Sequence, residues 1–438
     1  MRVKIEKLVY GGEGLAHGDG ATLFVPFVLP GEEVEATVKE RSKKFSRCRL
    51  ENVLTRSAER IEPDCPHFGV CGGCHYQHIP HELQLRFKEQ ILRETLRRLG
   101  RLDWSAPITI HASPPFGYRN RAQWRVRPIE SRSQRPSRSE TSNHSLGIGY
   151  FQSSSTIFCP VESCGVLSPR IASVFEALKQ MIADRALPEE IQEIEALADS
   201  DDHKVLLNIT CSHLRSSQKT IAVEISKMTE GVESVLLQSA AGDKMELSGP
   251  GYLNYSAGDK RFRVGHLSFF QVNRHLVKEL AQSVAAAAGG GNLAFDLYAG
   301  VGLLSAFLAD NFVKIEAVEA DPAAARDLEA NVSRSRNISS HNLAAEVFLS
   351  RWKRKQGGQS PEAIVVDPPR AGLEPAALSE LQDVSPPRIV YVSCDPSTLA
   401  RDLAKLCARL YKVEEIHLFD MFPQTYHMET LVRLERAS

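Results

Sequence analysis

The sequence predicts an α/β protein with a small β-barrel ahead of it, and three observations carry that expectation. Leu293-Ala294-Phe295-Asp296-Leu297 is an apolar run of strand length, Tyr298-Ala299-Gly300-Val301-Gly302 follows as a glycine turn, and Leu303 to Leu308 opens a helix. Two further runs, Ala363 to Val366 and Ile389 to Val392, read as buried parallel strands ending in Asp367-Pro368-Pro369-Arg370 and Ser393-Cys394-Asp395; a helix starts after Pro396. Residues 1 to 58 instead alternate short β-rich runs, such as Val34 to Val38, with the turns Gly11-Gly12-Glu13-Gly14 and Pro30-Gly31. That spacing suits a small barrel.

At 438 residues the chain has room for about two to four domains. Its net charge of -1 argues against wholesale coating of nucleic acid but leaves room for a local basic surface, because charges are screened beyond about 10 Å. No run approaches the roughly eighteen apolar residues of a membrane span, and Met1 to Glu6 holds no apolar export segment, so a cytoplasmic protein is expected. Nine cysteines in such a chain point to metal binding or catalysis rather than a disulfide framework.

Taken in order, the barrel carries Lys39, Arg41, Lys43, Lys44, Arg47 and Arg49 around Phe45, with Glu40 as the one acid between Lys39 and Arg49. Cations for phosphate and a ring for stacking make an RNA grip; a solvated hairpin face explains them equally well. Cys65, Cys71 and Cys74 form a C-x5-C-x2-C run with Gly72 and Gly73 inside it, a three-point soft-ligand site that lacks a fourth donor. Cys159 and Cys164 are the candidates. Zinc and a [4Fe-4S] cluster both accept four thiolates, and the spacing does not separate them.

Residues 81 to 100 have helical periodicity with a basic face and end in Gly100. Tyr118 to Arg127 alternates like a strand that shows arginines on one face, and the Ser/Arg-rich stretch 131 to 145 reads as a loop between two strands. From Leu146 to about Val264 the pattern is mixed α and β.

In the last third, the strand Val313 to Val318 ends in Glu319, nineteen residues beyond Gly300, where an acid can bind ribose hydroxyls. Ser305 stands where a dinucleotide fingerprint would have a third glycine, which disfavours a dehydrogenase. Asp367 ends a strand on the ligand side of the sheet, as either an acceptor or a turn initiator. Cys394 lies there too, as either a nucleophile or a small packing residue.

Taken together, SFFQVN (Ser268 to Asn273), DLYAGVG, the VEAD around Glu319, VVDPPR, YVSCDP and FPQTYHMET (Phe422 to Thr430) resemble the RNA uracil-5-methyltransferase family. The cysteine triple and the barrel make the chain most similar to the iron-sulfur, TRAM-containing branch that acts on 23S ribosomal RNA. The resemblance implies an OB-like TRAM barrel over 1–58 and a central α+β iron-sulfur and RNA-binding domain over 59–264, whose helix at about 78–108 packs on the catalytic part. It implies a Rossmann-like class I methyltransferase domain over 265–438. Cys394 of the SCDP motif corresponds to the nucleophile and Glu429, after P-x-T-x-H, to the general base. Gln271, Tyr298, Glu319 and Asp367 correspond to S-adenosyl-L-methionine contacts. Cys65, Cys71 and Cys74 correspond to [4Fe-4S] ligands, and Cys164 fits the family's Cys-x-x-Leu-x-Pro pattern as the fourth better than Cys159. Ala299 and Leu303 depart from the family pattern, and Glu346 is the only acid between Asn342 and Gly357, where one is expected near the adenine.

The chemistry fits these residue types. Uracil C5 is a poor nucleophile until a thiolate adds at C6, and the C5 proton must then be removed by a base. Reaching C6 needs an unstacked uridine, for which Phe269 and Phe270 offer rings. The expected partner is RNA, ribosomal first and transfer RNA second, with no membrane, no obligate protein partner and a monomeric chain. The rivals are a methyltransferase of the transfer RNA thymine loop, one acting on cytosine C5, and a non-catalytic iron-sulfur RNA-binding protein.

Overall fold

In the strand Glu33–Arg41 the alternate residues Val34 and Ala36 are buried while Glu33, Glu35 and Thr37 face water, the period-two signature of a sheet with one wet face. The computed structural model describes residues 1–18, 20–129, 145–214, 221–242, 244–355 and 360–437. Its first sheet has six strands, antiparallel except where Ala21–Pro26 runs parallel to Phe45–Thr55. A small core of Val3, Ile5, Ala16, Leu23, Val25 and Val34 fills it.

The second sheet has seven strands, and the expected arginine strand is there as Arg121–Ile129. Ala122, Trp124 and Val126 point into the core, while Arg121, Arg125 and Arg127 lie on the opposite, half-exposed face. The Ser/Arg-rich reading over 131–145 lies outside the described residues, except that Ser145 begins the strand Ser145–Phe151.

The third sheet carries the site. Its eight strands run in the order Ile338–Asn342, Phe312–Glu319, Gly291–Leu297, Ala363–Val366, Arg388–Ser393, Glu429–Arg436, Tyr411–Phe419 and Thr109–His111. The first five are parallel; Glu429–Arg436 is antiparallel to both of its neighbours. Thr109–His111, far upstream in the chain, closes the far edge parallel to Tyr411–Phe419.

The helix His81–Gly100 packs on the helix Pro396–Cys407, with Ile91, Leu92 and Leu96 sharing one core with Leu399, Ala400 and Leu403. Gly100 is not the left-handed stop its position suggests. It is the last helical residue, and a side chain there would meet the Ala400 carbonyl oxygen at 3.2 Å, so glycine serves close helix contact. Arg101 takes the left-handed conformation instead, at φ 52°, and its N–H caps the Leu96 carbonyl. No helix among the described residues is long and apolar enough to cross a membrane.

Candidate active site

Gly291–Leu297 has Phe312–Glu319 on one side and Ala363–Val366 on the other, all parallel, so successive connections leave in opposite directions and a crevice opens at the carboxyl ends of the strands. Tyr298, Glu319, Asp367 and Cys394 all stand at this end. The turn after the first strand has φ 67° at Tyr298, 56° at Gly300 and 92° at Gly302. Only Tyr298 pays a steric cost there, and its ring joins the core beneath. A side chain at Gly302 would come within 2.8 Å of Leu328, so the turn passes too close for anything larger.

The turn aims backbone donors at acids. Gly300 N–H donates to Glu319 Oε2 at 2.8 Å and Asp321 N–H to Oε1 at 2.7 Å, which holds the carboxylate still and leaves one lone pair on each oxygen for a ligand. Ser305, the residue that spoils a dinucleotide fingerprint, donates to Asp296 Oδ2 at 2.5 Å. Oδ1 of that fully buried acid has no hydrogen-bond partner. Burial pushes the Asp296 carboxyl up to about 7; the Ser305 hydrogen bond opposes this, and Asp367 and Glu319 add to it. Burial, then Glu319, pushes Asp367 to about 7 as well.

Cys394 and Glu429 meet through the sheet. Ser393 pairs with Thr430 in antiparallel register, so the residue after Ser393 and the residue before Thr430, Cys394 and Glu429, are neighbours at the ligand edge. Burial, then Asp367, raises Glu429 well above the usual carboxylate range, and Arg370 opposes the shift. Burial pushes the Cys394 thiol up to about 12, with Glu429 and Asp367 adding, Arg370 opposing and Asp395 adding again. Arg370 is the cation of this group, and its carbonyl accepts from Thr398 Oγ1 at 3.1 Å, which ties its loop to the helix after Cys394.

The loop that leads into Glu429 is braced from below. Lys88 Nζ donates to Asp420 Oδ1 at 2.6 Å and to the Phe422 carbonyl at 3.1 Å, and His81 Nε2 lies 2.8 Å from Asp420 Oδ2. Burial works against ionising Asp420, yet Lys88 and His81 outweigh it and hold the carboxyl below its usual range. Gln424, at φ 66°, trades two hydrogen bonds with Gln84, and its carbonyl accepts from the His75 and Tyr76 N–H groups. The segment just past Cys74 therefore holds the loop that ends at Glu429.

The sequence profile of the tRNA (Uracil-5-)-methyltransferase family matches residues 81–437. The chain belongs to this family. It is accordingly an S-adenosyl-L-methionine-dependent RNA (uracil-C5-)-methyltransferase, with a TRAM domain matched over residues 1–50. Among its relatives, an uncharacterized RNA methyltransferase of Halalkalibacterium halodurans is 31% identical over 99% of this chain and 96% of its own. One of Aquifex aeolicus is 30% identical over 99% and 98%. The crystal structure of a Pyrococcus abyssi tRNA (uracil-54, C5)-methyltransferase with S-adenosyl-L-homocysteine has the same fold, at TM-score 0.74 and 24% identity over 99% of this chain and 100% of that one.

For this methyltransferase the structure separates the two phenylalanines of SFFQVN. Phe270 is core, packed 4.4 Å from the Tyr255 ring; only Phe269 is exposed, with the Arg121 guanidinium 5.8 Å from its ring. Gln271 follows, half-buried, and Asn273 anchors the motif by donating to Ser113 Oγ at 2.8 Å. The two departures from the family pattern, Ala299 and Leu303, are both buried in the apolar core. Glu346 sits within the field of the Tyr298 hydroxyl, whose pKa burial and the surrounding acids push up to about 12.

Cys65, Cys71, Cys74 and Cys164 line one cavity together with Arg119 and Tyr150. Cys159 is buried beside Cys71 but is not part of that lining. Burial pushes Cys71 and Cys74 up to about 12, a hydrogen bond to each opposes this, and the neighbouring cysteines add to it. The Tyr150 hydroxyl bonds to Cys164. Among the described residues no three His, Cys, Asp or Glu side chains close on a point where they could hold a metal ion.

Three groups at the crevice escaped sequence reasoning. Asp296 gave a signal, an acid inside an apolar strand; Arg370 gave a weaker one, the cation closing DPPR. Tyr10, which reaches Asp395 from the barrel, gave none.

Proposed function

We propose that this methyltransferase acts on a uridine of 23S ribosomal RNA, with Cys394 as nucleophile and Glu429 as general base. The observation that carries the reading is the Ser393–Thr430 register, which makes 394 and 429 neighbours beside Asp367 and Arg370. The Cys394 sulfur bonds to C6 of the uracil, and the C5–C6 electron pair moves toward C4 as an enolate. C5 then takes the methyl group, whose bond to the sulfonium sulfur of bound S-adenosyl-L-methionine would break to leave S-adenosyl-L-homocysteine; Glu429 removes the C5 proton, and the C5–C6 double bond re-forms as the Cys394 thiolate leaves. A carboxyl raised by burial is a stronger base once ionised than an exposed one, which suits removal of a carbon-bound proton.

Gln271, Tyr298, Glu319 and Asp367 form the binding site for S-adenosyl-L-methionine, which supplies an electrophilic methyl and a sulfonium charge to a crevice of desolvated acids. Glu319 offers its free lone pairs to the ribose. Positive charge in the crevice favours the Cys394 thiolate, and Arg370 pulls the same way. Phe269, exposed beside Arg121, gives an unstacked base a ring to lie on.

Cys65, Cys71, Cys74 and Cys164 are the ligands of a [4Fe-4S] cluster that braces the loop before Glu429. Four thiols around one cavity beside that loop support a group held by four thiolates there. The ribosomal target rests on this cysteine set and the barrel. The likeness to a transfer RNA enzyme supports transfer RNA as the second reading.

The deciding experiment uses Glu429→Gln protein with substrate RNA. A covalent protein–RNA adduct that Cys394→Ala does not form is expected, because elimination stalls once the proton cannot leave. No adduct with either protein would refute the assignment, and mapping 5-methyluridine in ribosomal and transfer RNA of a deletion strain decides the target.

A further inference from the structure

The barrel does more at this site than lie beside it. Its turn at Val9 to Gly12, closed by the Val9 N–H to the Glu13 carbonyl at 2.9 Å, touches both loops that carry the proposed chemistry. On one side the Tyr10 hydroxyl donates to Asp395 Oδ2 at 3.1 Å, next in sequence to Cys394. On the other the Tyr10 ring meets Tyr426 edge to face at 5.4 Å, three residues before Glu429, and Tyr426 in turn lies 4.2 Å from the His427 ring. Gly12 makes room for this contact: a side chain there would sit 2.8 Å from the Tyr426 ring.

Asp395 is fully engaged in two directions. Its Oδ1 accepts from the Ser397 N–H at 2.8 Å and the Thr398 N–H at 3.0 Å, capping the helix Pro396–Cys407. Its Oδ2 is the atom that Tyr10 holds. We infer that Tyr10 is a positioning residue for the methyl transfer: it fixes the Asp395 carboxylate, and with it the Cys394 loop, against the loop that presents Glu429. The inference rests on the roles proposed for Cys394 and Glu429. It has an electrostatic side as well as a geometric one, because Asp395 is one of the charges that disfavour the Cys394 thiolate, and a donor on Oδ2 draws that charge away. The other charged groups facing Cys394 are Glu429, Asp367 and Arg370. Burial raises the Tyr10 hydroxyl far above its usual pKa, so it remains a donor across the working pH range.

The test is a double-mutant cycle of Tyr10→Phe and Asp395→Asn in the full-length protein; asparagine keeps the helix cap and removes the charge. Tyr10→Phe is expected to lower kcat about tenfold and to slow iodoacetamide labelling of Cys394 at pH 8 several-fold, with the Kd for RNA and the KM for S-adenosyl-L-methionine within about twofold of wild type. In the Asp395→Asn background the same substitution should add nothing. Unchanged kcat and labelling would overturn the inference. So would full additivity in the cycle, or a loss confined to RNA affinity, which would make Tyr10 an RNA contact. Labelling needs neither RNA nor methyl donor, so it decides this contact even where the Glu429→Gln adduct fails to form.

Discussion

Asp296, Asp367 and Glu429 stand in the crevice of the catalytic sheet much as Cys65, Cys71, Cys74 and Cys164 stand in the cavity of the central domain. Both are gatherings of like ionisable groups where water is scarce, and burial is the largest force pushing Asp296, Asp367 and Glu429 in the one, and Cys71, Cys74 and Cys164 in the other, toward their neutral forms. Each therefore favours an occupant that brings positive charge. They differ in how they are assembled. Three of the four cysteines come from one ten-residue loop, whereas the crevice draws one group each from strands that begin at residues 291, 363, 388 and 429. A site built from one loop is legible as spacing; a site built from strand ends exists only once the register is set. The crevice also keeps Arg370 exposed at its mouth, suiting ligands that come and go, while Tyr150 closes on Cys164 in the cavity.

The sharpest break between the two regions is expected at the cysteines. Anaerobically purified protein should show a broad brown absorbance that Cys164→Ser loses entirely and Cys159→Ser keeps. The reverse result would move the fourth ligand to Cys159, and a colourless wild type with bound zinc would replace the cluster.

The loop from Asp420 to Met428 joins the two regions, and its buried ion pair gives the next effect. Lys88→Met leaves Asp420 charged beneath this loop with only His81 beside it, which should cost about 3–5 kcal/mol in equilibrium denaturant unfolding. Lys88→Met combined with Asp420→Leu should recover much of that loss. A single variant as stable as wild type would show that the pair bears little of the load.

The smallest effect concerns the crevice acids. The folded Asp296 carboxyl titrates near 7, above its ordinary value, so its contribution to stability is complete at low pH and is lost as pH rises through about 7. Between pH 5 and pH 7 the wild type should lose about 2 kcal/mol relative to Asp296→Asn, measured without cosubstrate. Parallel pH curves for the two proteins would mean that Asp296 is already ionised at pH 5.

Much of the framework was legible because it depends on neighbours along the chain. The helix over 81–100 and the strand over 363–366 stand where period and composition put them, as does the arginine-bearing face of Arg121–Ile129. Gly100 ends the helix as expected, but a glycine at a helix end serves equally for a left-handed stop or for close approach of another helix, and only the packing of Ala400 selects the second. Phe269 and Phe270 looked alike in sequence because adjacent residues differ only in the side of the chain they face. Tyr10 could not have been found, because nothing in a barrel turn announces a partner 385 positions away.

By itself the sequence determined the strands, the turns, the cysteine loop and the chemical types at the site, because periodicity and turn geometry act over a few residues. The tertiary structure alone decided that Cys394 and Glu429 are neighbours, that Tyr10 spans from the barrel to their loops, and that three acids share a dry crevice. Pairing register and desolvation depend on what the rest of the chain brings near a residue, and that is settled only when the sheet closes.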